Sequence, residues 1–191
     1  LQYKFNLLRI CIKFKDSLQN INLIIMINRK FKKCLITGIT GSGGSYLAEH
    51  IISKNTKIKV FGIYRSKGNK KLLQNKNIIL FKADLSNYNQ TQKIIRKINP
   101  DLIFHLASSA NVRESFDSPK KVIENNNVIT LNLLEIIRLN KLNPLTIICS
   151  SSEVYGKIKL KDIPVKEDKS INPVNPYSVS KAFQDLLSQV Y

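Results

Sequence analysis

The sequence has no tryptophan, a single methionine and three cysteines in 191 residues, and its 13 acidic residues face 31 basic ones. Each scarcity narrows the reading. Cys11, Cys34 and Cys149 show no metal-ligand spacing, so no metal centre is expected. Cys34 and Cys149 fall in short apolar runs, where a free thiol packs as a small hydrophobe. A reducing, cytoplasmic compartment is therefore expected. No apolar run reaches the roughly 18 residues of a spanning helix, so no membrane partner is expected. The lone methionine is Met26, a short distance before the first strand-like run. Residues 1–32 are basic and apolar without clean periodicity. They are expected to form an N-terminal extension whose first 25 residues are upstream translated sequence or poorly ordered. The alternative is a targeting peptide, which the mixture of Lys and Arg with Leu, Ile and Phe would allow but which lacks a small-residue cleavage site.

The net charge of +18 invites a nucleic-acid reading. Two features argue against it. The basic residues are 25 Lys against 6 Arg, spread along the whole chain, and Asn (20) and Ile (27) are inflated alongside them. This is a drift in composition, and no groove-reading motif accompanies it. A lysine-rich solvated surface is expected, with no nucleic-acid partner; it would still steer a diphosphate ligand.

What is present is organised around Lys33 to Leu47. Cys34 to Ile36 is a short apolar run that reads as a buried strand. Thr37-Gly38-Ile39-Thr40-Gly41-Ser42-Gly43-Gly44 follows. Leu47, Ala48, Ile51 and Ile52 then recur at helical spacing. Strand, glycine turn and helix start open a dinucleotide-binding unit. Gly38 permits the tight turn, Gly41 lets the backbone approach a pyrophosphate, and Gly44 lets the helix pack closely. The free N–H groups of the helix start then face the phosphates.

The rest of the chain alternates. Further strands are predicted at Lys57–Tyr64, Ile78–Lys82, Leu102–Leu106 and Leu145–Cys149. Helices are predicted at Gln90–Ile98, Pro119–Asn140 and Tyr177–Tyr191. In the Pro119–Asn140 helix Leu131, Leu134, Ile136 and Ile137 are expected to face inward. In the last helix Ala182, Leu186 and Val190 fall on one face, with Phe183 and Leu187 beside them. Such alternation predicts an α/β fold, a doubly wound parallel sheet of the Rossmann-like kind. Ligands on such sheets bind beyond the carboxyl ends of the strands. The unusual clusters lie at those ends: Gly38 to Gly44, Arg65, Asp84, Ala107 to Ser109, and Ser150 to Glu153. The second strand ends in Tyr64-Arg65-Ser66 with no acid for a ribose 2′-hydroxyl. Arg65 can pair with a 2′-phosphate, so NADP is expected over NAD. On the last helix Tyr177 and Lys181 are i and i+4 and point the same way. A nearby ammonium lowers a phenol's pKa, which would make Tyr177 a usable base.

Thr37-Gly38-x-x-Gly41-x-x-Gly44, Asp84-Leu85, His105-Leu106-Ala107, Asn127, Ser150-Ser151 and Tyr177-x-x-x-Lys181 stand together in order. In this set the chain resembles the extended short-chain dehydrogenase/reductases, the NAD-dependent epimerase/dehydratase family. Within it, Ile36 to Gly41, Gly44 to Glu49 and Ser152 to Lys157 look like the GDP-mannose 4,6-dehydratases. Pro173 to Ala182 looks as much like the GDP-4-dehydro-6-deoxy-mannose reductases. The resemblance implies cofactor contacts from Gly38, Ile39, Thr40, Gly41, Ser42, Gly43, Gly44, Arg65, Asp84, Leu85, Leu106, Ala107, Ser108, Tyr177 and Lys181. It implies a catalytic set of Ser151, Glu153, Tyr177 and Lys181 acting on a GDP-sugar. In a dehydratase Tyr177 would take the C4 hydroxyl proton, Ser151 would hold the C4 oxygen, Lys181 would hold the cofactor ribose, and Glu153 would remove the C5 proton. A simple reductase, acting only at C4, has no need of that last step. The family continues beyond the Tyr177 helix into further strands and a C-terminal substrate domain. Residues 33–191 are thus expected to be an incomplete cofactor domain, truncated at its C-terminus with the substrate domain missing, and could be inactive alone. A homo-oligomer, dimer or tetramer, is implied for a complete protein. A non-catalytic dinucleotide sensor remains the alternative of a different class, although such sensors often lose the Tyr/Lys pair that this chain keeps.

Overall fold

The computed structural model describes residues 30–54, 57–66 and 76–191. The expected basic extension, for residues 1–29, and most of the basic loop after Ser66 lie outside the described residues. Five parallel strands form one sheet: β1 (Lys33–Thr37), β2 (Lys59–Tyr64), β3 (Ile78–Lys82), β4 (Leu102–His105) and β5 (Leu145–Ile148). Their spatial order is β3-β2-β1-β4-β5. Cys34 pairs in register with Val60 on one side and Leu102 on the other.

Strands buried on both faces read as continuous apolar runs, and alternate residues feed two separate cores. Cys34, Ile36, Val60, Leu102, Phe104, Leu145 and Ile147 face one way and meet Ala48 and Ile51 of α1 (Ser42–Lys54). Leu35, Phe61, Ile63, Ile103 and Ile148 face the other way. They meet Ile95 and Ile98 of α2 (Tyr88–Ile98) and Ile129, Leu133, Ile136 and Ile137 of α4 (Pro119–Leu139). Between those helices lies α3 (Val112–Asp117), a short helix capped by Asn111, whose side chain accepts the Glu114 N–H. The last helix, α5 (Pro176–Val190), packs along α4.

Helix ends follow their side chains. Asn87 caps α2 by accepting the Gln90 N–H, and Asn99 ends it in a left-handed conformation at φ 47°. Asp101 ties the sheet together at its base: its carboxylate accepts the backbone N–H groups of Lys32 at 2.9 Å and Lys33 at 3.1 Å.

One inward-facing expectation is corrected. Leu131 on α4 is exposed, as are Phe183, Leu186 and Val190 on α5. The buried side of α5 instead carries Tyr177, Ser178, Ser180, Lys181, Ala182, Gln184, Asp185 and Ser188. A polar network, rather than a hydrophobic face, joins this helix to α4. Two short 3-10 turns, Ser152–Tyr155 and Leu160–Asp162, occupy stretches with no predicted element.

Candidate cofactor cleft and catalytic cluster

The strand order reverses between β1 and β4, and a crevice opens there at the carboxyl ends. The cleft holds about 450 Å³. Its lining includes Gly38, Thr40, Gly41, Ser42, Gly43, Gly44, Arg65, Asp84, Leu85, Leu106, Ala107, Ser108, Tyr177 and Lys181. The sequence had scattered these residues over 144 positions of chain, and the fold brings them to one opening.

The glycine turn is shaped by close backbone approach. Gly38 sits at φ +69°, and a Cβ there would stand 2.8 Å from the Cα of Ala107. At Gly44 a Cβ would stand 2.5 Å from the Gly38 carbonyl oxygen and 2.7 Å from the Ile39 Cα. Both positions therefore require glycine, and Gly44 is what lets α1 begin against the turn. Ile39 alone among the predicted cofactor residues is absent from the cleft wall. Its side chain is fully buried in the core beside α1, and its N–H is directed to the Ile63 carbonyl at 3.3 Å.

At the mouth, Arg65 donates to Asn125 Oδ1 at 2.9 Å and lies 3.7 Å from the Asp84 carboxylate. Burial works against the charge on Asp84. Hydrogen bonds from the Ser86 N–H and hydroxyl, aided by Arg65, outweigh it and hold the carboxyl below its usual range.

Behind the cleft runs a buried hydrogen-bonded chain. The Ala107 N–H donates to Thr37 Oγ1 at 3.3 Å, and Thr37 Oγ1 lies 2.8 Å from His105 Nδ1. His105 Nε2 lies 3.0 Å from Thr130 Oγ1, whose proton goes to the Asn126 carbonyl at 3.0 Å. With that proton committed, Thr130 can only accept from His105. This assigns the imidazole proton to Nε2 and leaves Nδ1 to accept from Thr37. Gln184 joins the same hydroxyl: its Nε2 donates to Thr130 Oγ1 and to the Asn126 carbonyl, while its Oε1 accepts from Lys181 Nζ at 2.6 Å. His105 is pushed down to about 3 by burial and by the nearby Lys181 charge. Burial pushes Lys181 down to about 8.

Tyr177 and Lys181 share one side of α5, as their spacing requires, but the expected electrostatic effect is corrected. Burial raises the Tyr177 phenol above its ordinary value, and only a hydrogen bond with Ser151 lowers it. The Lys181 ammonium is turned to Gln184 instead.

Ser151 and Glu153 stand at the start of the 3-10 turn after β5, beyond the residues that line the cleft. Ser151 caps this turn, its Oγ accepting the Glu153 N–H at 3.2 Å. The Glu153 carboxylate accepts from Asn175 Nδ2 at 2.8 Å. Sequence reasoning missed Asn175, Gln184, Asn125 and Asn126. Asn175 was legible as the residue before a Pro at the first helical position, but its second partner was not.

A dinucleotide fits the cleft. The Ser108 and Ser150 hydroxyls, both in its lining, are buried without a hydrogen-bond partner in the protein, and a bound polar ligand would supply one. The glycine turn leaves backbone room beside the N-terminus of α1, which suits phosphate. Among the described residues no cluster of His, Cys, Asp and Glu could hold a metal ion.

Sheet order, glycine turn and polar cleft define a Rossmann-like domain of the epimerase/dehydratase class. A family described as GDP-mannose 4,6 dehydratase matches residues 35–191, and the chain belongs to that family. It is 35% identical over 165 residues to a GDP-mannose 4,6-dehydratase of Yersinia enterocolitica, covering 80% of this chain and 43% of that protein. Among solved structures it superposes on the UDP-Glc/GlcNAc 4-epimerase of Campylobacter jejuni with a TM-score of 0.76 at 28% identity, over 83% of this chain and 48% of that one. It superposes on the UDP-glucose 4-epimerase of Brucella ovis, solved in complex with NAD, with a TM-score of 0.74 at 25% identity, over 84% and 47%. The chain thus spans less than half the length of these relatives.

Proposed function

We propose that this chain is the cofactor-binding part of a GDP-mannose 4,6-dehydratase, a lyase working through transient oxidation at C4. The observation that carries the reading is the placement of the Glu153 carboxylate, which accepts from Asn175 Nδ2 at 2.8 Å at the start of the helix that carries Tyr177. A bound nicotinamide dinucleotide supplies the acceptor and later the donor of a hydride. Everything else falls to the chain's own groups. Tyr177 takes the C4 hydroxyl proton, and Ser151 holds the C4 oxygen. Lys181, one helical turn on and in the lining of the same cleft, holds the cofactor ribose. A ketone at C4 acidifies C5–H; Glu153 removes that proton, the C6 hydroxyl takes up a proton and leaves as water, and once hydride has returned to C6 a solvent-exchanged proton is given back to C5. A reductase that acts only at C4 has no use for a base at C5.

NADP is the proposed cofactor, because Arg65 stands at the end of β2 where an acid would favour NAD. A reducing cytoplasmic setting is in keeping with the free thiols of Cys34 and Cys149. Self-association in a homo-oligomer is in keeping with the exposed apolar stripe of Val179, Phe183, Leu186 and Val190 on α5. Sedimentation velocity of the parent and of Phe183→Asp tests it, a monomeric parent being the contrary result.

The test of the reaction uses the longest native polypeptide containing these residues, GDP-mannose and a catalytic amount of NADP⁺ in deuterated water. The product should carry deuterium at C5. Glu153→Gln should abolish that incorporation without weakening cofactor binding, since an amide of equal size cannot accept the proton. Full incorporation in Glu153→Gln would refute the role.

A further inference from the structure

We infer that Asn175 is a positioning residue for the C5 base, setting Glu153 against the same helix that carries Tyr177. The inference rests on the dehydratase reading and adds a residue that neither motif nor spacing marked.

Asn175 is 7% exposed and is the N-cap of α5. Its side-chain oxygen accepts the Ser178 N–H at 2.7 Å, and Ser178 Oγ accepts the Asn175 N–H at 3.1 Å, a complete capping box. That box fixes which way the amide points, because only oxygen can accept from the Ser178 N–H. The amide nitrogen must then face outward from the helix, and it donates to Glu153 Oε2 at 2.8 Å. A capping side chain normally has one task. Here the amide has two, and the second ends on a carboxylate that lies on an exposed residue of a short turn.

The consequence is a tie between the turn and the helix. Asn175 begins α5, and Tyr177 follows two residues later on its first turn. Ser151 caps the turn that holds Glu153, and the Glu153 carboxylate is bonded to Asn175. An exposed glutamate on three rotatable bonds would otherwise sample many rotamers. With one oxygen held by Asn175, the other is left free in a defined direction, and the two bases of the reaction keep a fixed separation. A hydrogen bond from a neutral amide leaves the carboxylate charged and able to accept a proton. Serine would cap the helix as well but is too short to keep the second contact.

The experiment compares the longest native polypeptide containing these residues with its Asn175→Ser and Asn175→Asp variants. C4 oxidation is followed by absorbance at 340 nm and C5 exchange by deuterium in the sugar. Cofactor affinity and the unfolding midpoint are measured alongside. Asn175→Ser should keep the unfolding midpoint, the cofactor affinity and the rate of C4 oxidation within about twofold, while C5 exchange falls roughly tenfold or more. Asn175→Asp also keeps the cap, but sets a second carboxylate against Glu153, and should lose more exchange than Asn175→Ser. Unchanged C5 exchange in both variants overturns the inference. So does a parallel fall of both steps together with the unfolding midpoint, which would mark Asn175 as a helix cap alone. A parent that shows no C5 exchange at all overturns the dehydratase reading, and this role with it.

Discussion

Lowering the pH should destabilise this fold through His105, by an amount the structure sets. The ring is 1% exposed and lies between Thr37 and Thr130, with Nδ1 accepting and Nε2 donating. A second proton would need an acceptor at Nδ1, where Thr37 already presents its own proton. Burial, with the Lys181 charge, moves the folded-state pKa from 6.5 to about 3. The unfolded chain therefore binds a proton near pH 6.5 that the folded chain refuses. Stability is fully present above that pH and falls as the pH drops from about 6.5 towards 3, at a little over 1 kcal/mol per pH unit. At about pH 4.5 the loss is on the order of 3 kcal/mol, a large share of a typical 5–15 kcal/mol. Urea unfolding followed by circular dichroism at about pH 7 and about pH 4.5 measures it. His105→Gln provides the reference, because its amide can both accept and donate but cannot charge. It should be weaker at neutral pH and have a flatter pH profile. Carboxylates held low in the fold, such as Glu135, contribute equally to both proteins and cancel. An identical pH dependence in the parent and His105→Gln would refute the reasoning.

Lys181 acts at the other end of the scale. Its folded pKa of about 8 lies below the ordinary 10.5. Stability should rise from about pH 8 to about pH 10, as the unfolded chain alone retains the proton, and Lys181→Met should remove that rise in urea titrations. Gly44→Ala should weaken dinucleotide binding at least about tenfold by calorimetry, because its Cβ would stand against the backbone of Gly38 and Ile39 and push α1 off the turn. Arg65→Ala should lower affinity for NADP about tenfold and leave NAD unchanged. Equal losses for both would place Arg65 outside phosphate recognition.

Much of the fold was legible because parallel strands buried on both faces announce themselves as apolar runs. Cys34–Ile36, Leu102–His105 and Leu145–Ile148 are of that kind. The glycine turn was legible for a related reason: Gly38 and Gly44 are backbone requirements, and sequence records them directly. The inner face of α5 was not legible from apolar periodicity, because most of what it carries is polar. That face is held by Ser180 and Gln184, bonded to Asn126 and Thr130 of α4, with Lys181 bonded to Gln184 behind them, and most of the apolar residues are left outside. Polar networks have no period, so no pattern along the chain marks them. The expected effect of Lys181 on Tyr177 failed for a similar reason. Spacing placed both side chains on one face, but the ammonium's actual partner is Gln184, three residues on in the same helix, whose amide nitrogen is held by α4.

The most direct measurement uses GDP-mannose, a small catalytic amount of NADP⁺ and the longest native polypeptide that contains these residues, with the sugar nucleotide analysed by mass spectrometry. Many turnovers per cofactor, each removing one water from the sugar to leave a 4-keto-6-deoxy product, are the predicted result. Turnover that stops when the cofactor is consumed, or a sugar nucleotide of unchanged mass, would contradict it.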